Sequence, residues 1–385
     1  MKYNSVKHMY FKHVNKHFLD NIYMVKTKKR NNKIYNKKNT RRNNKKLIID
    51  SNFESGNIKI KNIQDNKVTL QIEDEPYEKY EKNKYQYWFY FKVKNIRSMT
   101  KFQIENINIY NNNWKGFNVC YSYDNKNWKR YPTKVELKNK KLIWKINPKK
   151  DTIWFAYYPP YPFSKSKKLI KGTKTIGYSK ENRPILMKTL GNGPICIWFV
   201  AGQHPGETNG LWMLEGLLKE ITNSKNKKQF MERYTFKIII NANPDGNVHG
   251  YWRLNSIGQN LNRCWKDFNC IEVKSIKKEM DKQNYSLLLD LHGDEGSKNH
   301  FLVTSKNSLF KEFNKKLNEI NKNFQINNYY SESYMNTMKN TLDTYSNGIT
   351  VEGAMKHPLY GHKTLQDESI KIGQDIGKVF LQIKF

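Results

Sequence analysis

Ile195-Cys-Ile-Trp-Phe-Val-Ala-Gly-Gln-His-Pro-Gly-Glu-Thr208 decides how this chain folds. An unbroken apolar run, Ile195–Val200, has the length and composition of a strand buried on both faces. A turn shaped by Pro205 and Gly206 follows. Beyond it, Leu211, Leu214, Leu217, Leu218 and Ile221 mark one face of a helix. Strand, turn and helix then recur. Strand-like runs at Phe236–Ile240, Leu287–Leu291, Phe301–Thr304 and Ile349–Val351 alternate with helical stretches, and Ile370–Phe380 closes the chain as a helix. This alternation predicts an α/β domain with a mixed sheet flanked by helices.

Upstream the pattern differs. Lys67–Ile72, Tyr85–Val93, Phe102–Tyr110, Phe117–Tyr123, Leu142–Ile146 and Ile153–Tyr158 are short, aromatic and alternating, and Asn, Asp and Lys clusters separate them. Period-two patterning with regular turn signals predicts an antiparallel β-sandwich of about seven to nine strands. Pro159-Pro160-Tyr161-Pro162 cannot continue a central strand and marks the boundary. The expected domains are a basic tail at 1–46, a β-sandwich at 47–160 and an α/β domain at 161–385.

Composition narrows the class. At 385 residues, with 37% hydrophobic and 14% aromatic residues, the chain can build sizeable cores. It has no run of the roughly 20 apolar residues that span a bilayer and no apolar leader, so a soluble, cytoplasmic protein is expected. Four cysteines, Cys120, Cys196, Cys264 and Cys270, are too few and scattered for a disulfide framework, which fits a reducing compartment. The net charge is +35, and residues 1–46 hold fifteen Lys and Arg against the single acid Asp20. This tail reads as a solvated, disordered extension of Lys and Asn. A polyanion- or nucleic-acid-binding arm and an organelle-targeting segment are the functional alternatives.

The turn after Val200 carries His204 and Glu207, and His292 lies 85 residues beyond Glu207 in Leu289-Asp-Leu-His-Gly-Asp294. Two imidazoles and a carboxylate at strand ends are the donor set of a catalytic Zn²⁺ with one position open. Asp290 stands two residues before His292, on the same side of the strand, where it orients that ring or serves as a surface or capping carboxylate. Asn243-Pro-Asp-Gly246 reads by itself as a turn. The Gly-rich stretch behind it holds Arg253, Asn262 and Arg263. Arginine's planar fork suits a carboxylate, and a guanidinium also polarises a carbonyl. Glu352 ends the last apolar strand, where a carboxylate is costly unless paired or used. Its functional reading is a general base; its plain reading is a solvated edge carboxylate.

Gln-His-Pro-Gly-Glu, Asn-Pro-Asp-Gly, Asn-Leu-Asn-Arg-Cys-Trp and Asp-Leu-His-Gly-Asp-Glu together resemble the M14 zinc carboxypeptidases. The likeness is strongest to the bacterial-type members of the cytosolic carboxypeptidase branch, which carry an N-terminal β-sandwich. Tyr121-Ser-Tyr-Asp-Asn-Lys-Asn-Trp128 and Phe155-Ala-Tyr-Tyr-Pro-Pro-Tyr161 are similar to that sandwich, and the likeness runs over about residues 47–385. The resemblance implies one Zn²⁺ per chain on His204, Glu207 and His292, with Arg253 polarising the scissile carbonyl. It implies that Asn262 and Arg263 hold the substrate's terminal carboxylate and that Glu352 is the base. The implied substrates are peptide or protein C-termini, and acidic residues would suit so basic a chain. The family's mobile tyrosine corresponds to one of Tyr329, Tyr330, Tyr334 and Tyr345. Gly353-Ala-Met-Lys356 departs from the family pattern and leaves the specificity wall open. A zinc amidase releasing an acyl group from an amino acid, and a catalytically idle module binding acidic tails or nucleic acid, are the competing readings.

Overall fold

Seventeen strands can be followed through the described residues of the protein, a computed structural model that describes residues 46–76, 85–109, 113–169, 171–304, 308–325, 337–338 and 347–385. These residues all fall in one compact unit, Thr40–Phe385. The basic tail lies outside them apart from Lys46, as do Tyr329, Tyr330, Tyr334 and Tyr345.

Ten strands come first: β1 (Ile48–Asp50), β2 (Lys59–Gln64), β3 (Lys67–Gln71), β4 (Tyr90–Lys94), β5 (Thr100–Ile104), β6 (Val119–Ser122), β7 (Lys129–Tyr131), β8 (Lys134–Glu136), β9 (Lys141–Ile146) and β10 (Thr152–Ala156). They form two five-stranded sheets, in the orders β1-β4-β10-β6-β7 and β2-β3-β5-β9-β8. The inner faces meet through aromatics: Phe102 lies 5.1 Å from Phe155 and stacks on Trp144 at 5.4 Å. Such pairs contribute beyond their buried area. Two expectations need correcting. The described residues form ten strands rather than seven to nine, because β1, β7 and β8 are three-residue edge strands too short to show alternation. The sandwich also has one parallel pairing, β3 with β5.

The second part opens with a 3₁₀ turn (Phe163–Leu169) and builds a seven-stranded mixed sheet. Its strands are β11 (Thr173–Tyr178), β12 (Pro184–Leu190), β13 (Ile195–Ala201), β14 (Tyr234–Ile239), β15 (Leu287–Asp294), β16 (Phe301–Thr304) and β17 (Asn347–Ala354), in the order β11-β12-β14-β13-β15-β17-β16. The four strands β14, β13, β15 and β17 are parallel and central, and β13 and the first half of β15 are accordingly long apolar runs. The α-helices among the described residues are α1 (Thr208–Asn223), α2 (Lys227–Arg233), α3 (Pro244–His249), α4 (Ile271–Met280), α5 (Ser308–Ile320) and α6 (Leu365–Val379). One buried cluster, including Leu217, Phe236, Leu289 and Ile372, underlies α1 and α6. A second, including Trp198, Trp265 and Val273, lies around α4. No helix among the described residues is long and apolar enough to cross a membrane.

Asn243-Pro-Asp-Gly is not a turn but the start of α3. The Asn243 side chain caps the helix by accepting from Gly246 N at 3.0 Å, Pro244 occupies the first turn, and Gly250 closes the helix at φ 70°. Cys264 and Cys270, scattered in sequence terms, are joined as a disulfide with Cα atoms 5.8 Å apart; Cys120 and Cys196 are buried and free.

Candidate metal centre

The strand-turn-helix at 195–223 sets the first half of the site. After β13, Gly202 turns the chain at φ 76°, and Glu207 sits at the N-terminal cap of α1. Two glycines permit close approach. A Cβ on Gly206 would lie 2.8 Å from the Trp252 Cα, and Gly206 N donates to Trp252 O at 2.9 Å. A Cβ on Gly210 would lie 2.5 Å from Leu291 O, so a larger residue would hold α1 away from β15. The second half comes from the parallel ladder of β15 and β17, which sets His292 level with Glu352. Side chains two apart share a face, so Asp290 lies under His292.

His204 Nδ1 lies 2.8 Å from Glu207 Oε1, and His292 Nδ1 lies 2.8 Å from Glu207 Oε2. All three residues are buried, and their donor atoms lie within 4.8 Å of one another. The outer ring nitrogens are held by acceptors. His204 Nε2 meets Asn260 Oδ1 at 3.1 Å, and His292 Nε2 meets Asp290 Oδ2 at 2.9 Å. Asn260 Oδ1 also accepts the backbone N–H of Asn262 at 3.1 Å, so that atom is an oxygen and His204 carries its proton on Nε2. His204 therefore turns an Nδ1 lone pair toward the Glu207 carboxylate, while His292 lies between two carboxylates, Glu207 and Asp290. Lone pairs and carboxylate oxygens at such distances repel unless positive charge lies among them. The donor set fits a divalent ion, and the outer contacts hold both rings in place and fix the tautomer of His204.

The local field agrees. Burial, aided by Arg253 and His292, lowers His204 to about 4, so it is neutral near pH 7. Burial opposes protonation of His292 as well, but the Asp290 and Glu207 carboxylates outweigh it and raise that ring well above the usual imidazole range. Burial would raise Glu207, yet His204 and His292 pull it well below the usual carboxylate range. Glu207 and Asp290 thus place negative charge on both sides of the His292 ring.

The other expected residues gather here too. Arg253 Nη1 is 3.8 Å from Glu207 Oε1, and its guanidinium lies 5.3 Å from the Tyr85 ring. Asn262 is buried, with Nδ2 3.3 Å from His292 Nε2 and Oδ1 accepting Met338 N at 2.9 Å. Arg263 is half-buried, and its Nη1 donates to Asn262 O at 2.8 Å. Burial raises Glu352 well above the carboxylate range; His292 counters this, while Glu207, Asp294 and Glu295 add to it. Burial also raises Asp294, and lifts Glu295 to about 7.

Sequence reasoning missed the neutral supports. Gln203 links Asp290 (Nε2 to Oδ2, 2.7 Å) to Trp265 (Nε1 to Gln203 Oε1, 2.7 Å), and Asn260 holds His204. Only proximity to His204 and to the Asn-Leu-Asn-Arg run pointed at them. Two residues of the sandwich segment were also missed: Glu75, which receives the 252–254 backbone, and Asn113, which donates to Glu295 Oε1 at 3.0 Å.

The family described as cytosolic carboxypeptidase N-terminal domain matches residues 49–158, and the family described as zinc carboxypeptidase matches residues 164–375. An uncharacterized protein of Zymomonas mobilis is 28% identical over 304 residues, covering 72% of this chain and 78% of its own length. Human cytosolic carboxypeptidase 2 is 26% identical over 315 residues, covering 68% of this chain; the match spans only 34% of that longer protein. Among solved structures, a metallo-carboxypeptidase from Burkholderia cenocepacia superposes with a TM-score of 0.79 at 25% identity, covering 87% of this chain and 98% of its own. The Pseudomonas aeruginosa metallo-carboxypeptidase, solved with (2-guanidinoethylmercapto)succinic acid, gives 0.76 at 26% identity, covering 86% and 98%.

Proposed function

The chain belongs to the zinc carboxypeptidase family and is a metallocarboxypeptidase, and on that premise we propose that His204, Glu207 and His292 hold one zinc ion per chain and that the enzyme trims peptides or proteins from the C-terminus. The observation that carries the site assignment is the convergence of two buried histidine Nδ1 atoms on one buried carboxylate. Zinc in such a site acts as a Lewis acid and lowers the pKa of water at its open position.

The chain's own residues supply the rest. Glu352, level with His292, accepts the proton of the attacking water and delivers it to the departing amine. Burial raises its pKa above the usual carboxylate range, which favours holding the proton it takes up. Arg253 donates to the scissile carbonyl oxygen as negative charge develops there. Asn262 and Arg263 hold the substrate's terminal carboxylate, an ion the planar guanidinium matches in shape. An acidic preference at the C-terminal residue is part of the proposal. It rests on the chain's positive balance and on its branch of the family. Residence in the cytoplasm is proposed from the cytosolic relatives.

Metal analysis and a C-terminal peptide library read by mass spectrometry test this. The expected result is about one zinc per chain, activity abolished by chelator, and no cleavage of C-terminally amidated peptides. Equal rates on free and amidated peptides would refute the carboxylate clamp. Aliphatic C-termini winning by more than about tenfold, or 1.4 kcal/mol, would overturn the acidic preference alone.

A further inference from the structure

Arg253 sits in a segment that no sheet ladder holds, yet its guanidinium must stay aimed at one point. Its backbone is fixed by a side chain from far away in sequence. Glu75, buried in the stretch after β3, takes three consecutive N–H groups on one carboxylate. Trp252 N donates to Oε1 at 2.7 Å, Arg253 N to both oxygens at 3.2 and 3.1 Å, and Leu254 N to Oε2 at 2.8 Å. The flanking chain is tied to the same part of the sandwich. Asn57 Nδ2 donates to Gly250 O at 2.8 Å, Asn57 Oδ1 accepts Glu73 N at 2.9 Å, and Ser55 N donates to Val248 O at 2.9 Å. On the other side, the Trp252 ring packs against Tyr87 and Tyr157 at 5.2 and 5.1 Å, and its carbonyl accepts Gly206 N from the metal-ligand turn.

We propose that Glu75 is a positioning residue for the reaction: it fixes the 252–254 backbone and through it aims the Arg253 guanidinium. This rests on the reading of Arg253 as the group that polarises the scissile carbonyl. Buried N–H groups without an acceptor are costly, so loss of the carboxylate would drive the segment to rearrange toward other partners. Arg253 would move with it. The sandwich is then a working part of the active site, because it supplies the carboxylate that accepts these three donors.

The test is a double-mutant cycle on the zinc-loaded, full-length enzyme with Glu75→Ala, Arg253→Ala and the double variant. Expected for Glu75→Ala is a kcat lower by about 10- to 100-fold, as a misplacement of order 1 Å can cost about 10²-fold. KM should stay within about threefold, with zinc content unchanged. In the Arg253→Ala background the same change should cost less than about twofold, because the group it aims is gone. Equal losses in both backgrounds, or wild-type kcat in Glu75→Ala, would overturn the proposal. Glu75→Gln carries the same cycle if the alanine variant does not fold; it keeps the shape, accepts fewer N–H groups and should show a smaller loss of the same kind. An inactive wild type at full zinc occupancy would sink the premise itself. An active wild type with additive losses sinks only the role of Glu75.

Discussion

Asp290→Asn isolates the tuning of His292 from its geometry. Asp290 is 1% exposed, and its Oδ2 takes both the His292 Nε2–H at 2.9 Å and the Gln203 amide at 2.7 Å. Its Oδ1 has no hydrogen-bond partner among the described residues. Asparagine has the same outline and keeps one acceptor toward His292; only the charge is lost. That charge is the main influence raising His292 against burial. Without it Nδ1 becomes a poorer donor. Partners of this kind are worth about 10- to 100-fold in metal affinity, or roughly 1.4–2.7 kcal/mol. Titration against a chromophoric chelator should therefore show zinc held that much more weakly, with a near-unchanged melting temperature for the apoprotein. A dissociation constant within about threefold of wild type would show that Asp290 only packs, and the electrostatic account of the site would fail.

Glu352→Gln should keep zinc content and lower kcat by roughly 10²–10⁴-fold, the range of general base catalysis; a parallel fall in zinc would make Glu352 a ligand instead. Burial lifts Glu75 from 4.5 to about 7, so between those values the folded chain binds a proton that the unfolded chain releases. Stability should therefore fall as pH rises from about 4.5 to about 7, by up to about 3 kcal/mol, and level off above; urea unfolding of Glu75→Gln should lack that slope, and an unchanged slope would mean other groups cause it. Gly210→Ala gains about 1 kcal/mol of helix propensity but forces a Cβ to 2.5 Å from Leu291 O, an overpacking cost of about 1–3 kcal/mol. A lower melting temperature with weaker zinc binding is expected, because α1 carries Glu207 away from His292; a higher one would show that the helix yields freely.

What could be read from the sequence divides along physical lines. The central strands β13 and β15 declare themselves because burial on both faces leaves long apolar runs, and β14 and β17 by the shorter apolar stretches at their centres or ends. His204, Glu207 and His292 declare themselves because few side chains bind metals and these lie at strand ends. The edge pair β11 and β12, Thr-Lys-Thr-Ile-Gly-Tyr and Pro-Ile-Leu-Met-Lys-Thr-Leu, was illegible because one solvated face and a leading proline blur any period. Glu75 was illegible for another reason. Its partners are 177 to 179 residues away, and nothing local marks an acid as the acceptor of a distant loop.

The asparagines show where composition misleads most. Lys and Asn are abundant throughout, and a compositional reading treats them as solvated filler. Between residues 241 and 262 that reading fails: Asn241, Asn243, Asn247, Asn255, Asn260 and Asn262 are all buried. This part of the chain carries Arg253, Asn262 and Arg263 on loops and short helices, without a ladder to pair its N–H groups. Amide oxygens substitute for the ladder. Asn241 accepts Asn243 N, Asn243 accepts Gly246 N, Asn255 accepts Gln259 N at 2.8 Å, and Asn260 accepts Asn262 N. A short polar side chain that reaches its own backbone holds a bend that propensity alone would leave loose. The proposed metal ligands are therefore fixed by strands and a helix start, and the groups proposed to meet the substrate by a set of amides and by one carboxylate from the sandwich. The second arrangement depends on single hydrogen bonds. Substitutions within it should accordingly disturb kcat and KM before they disturb the fold.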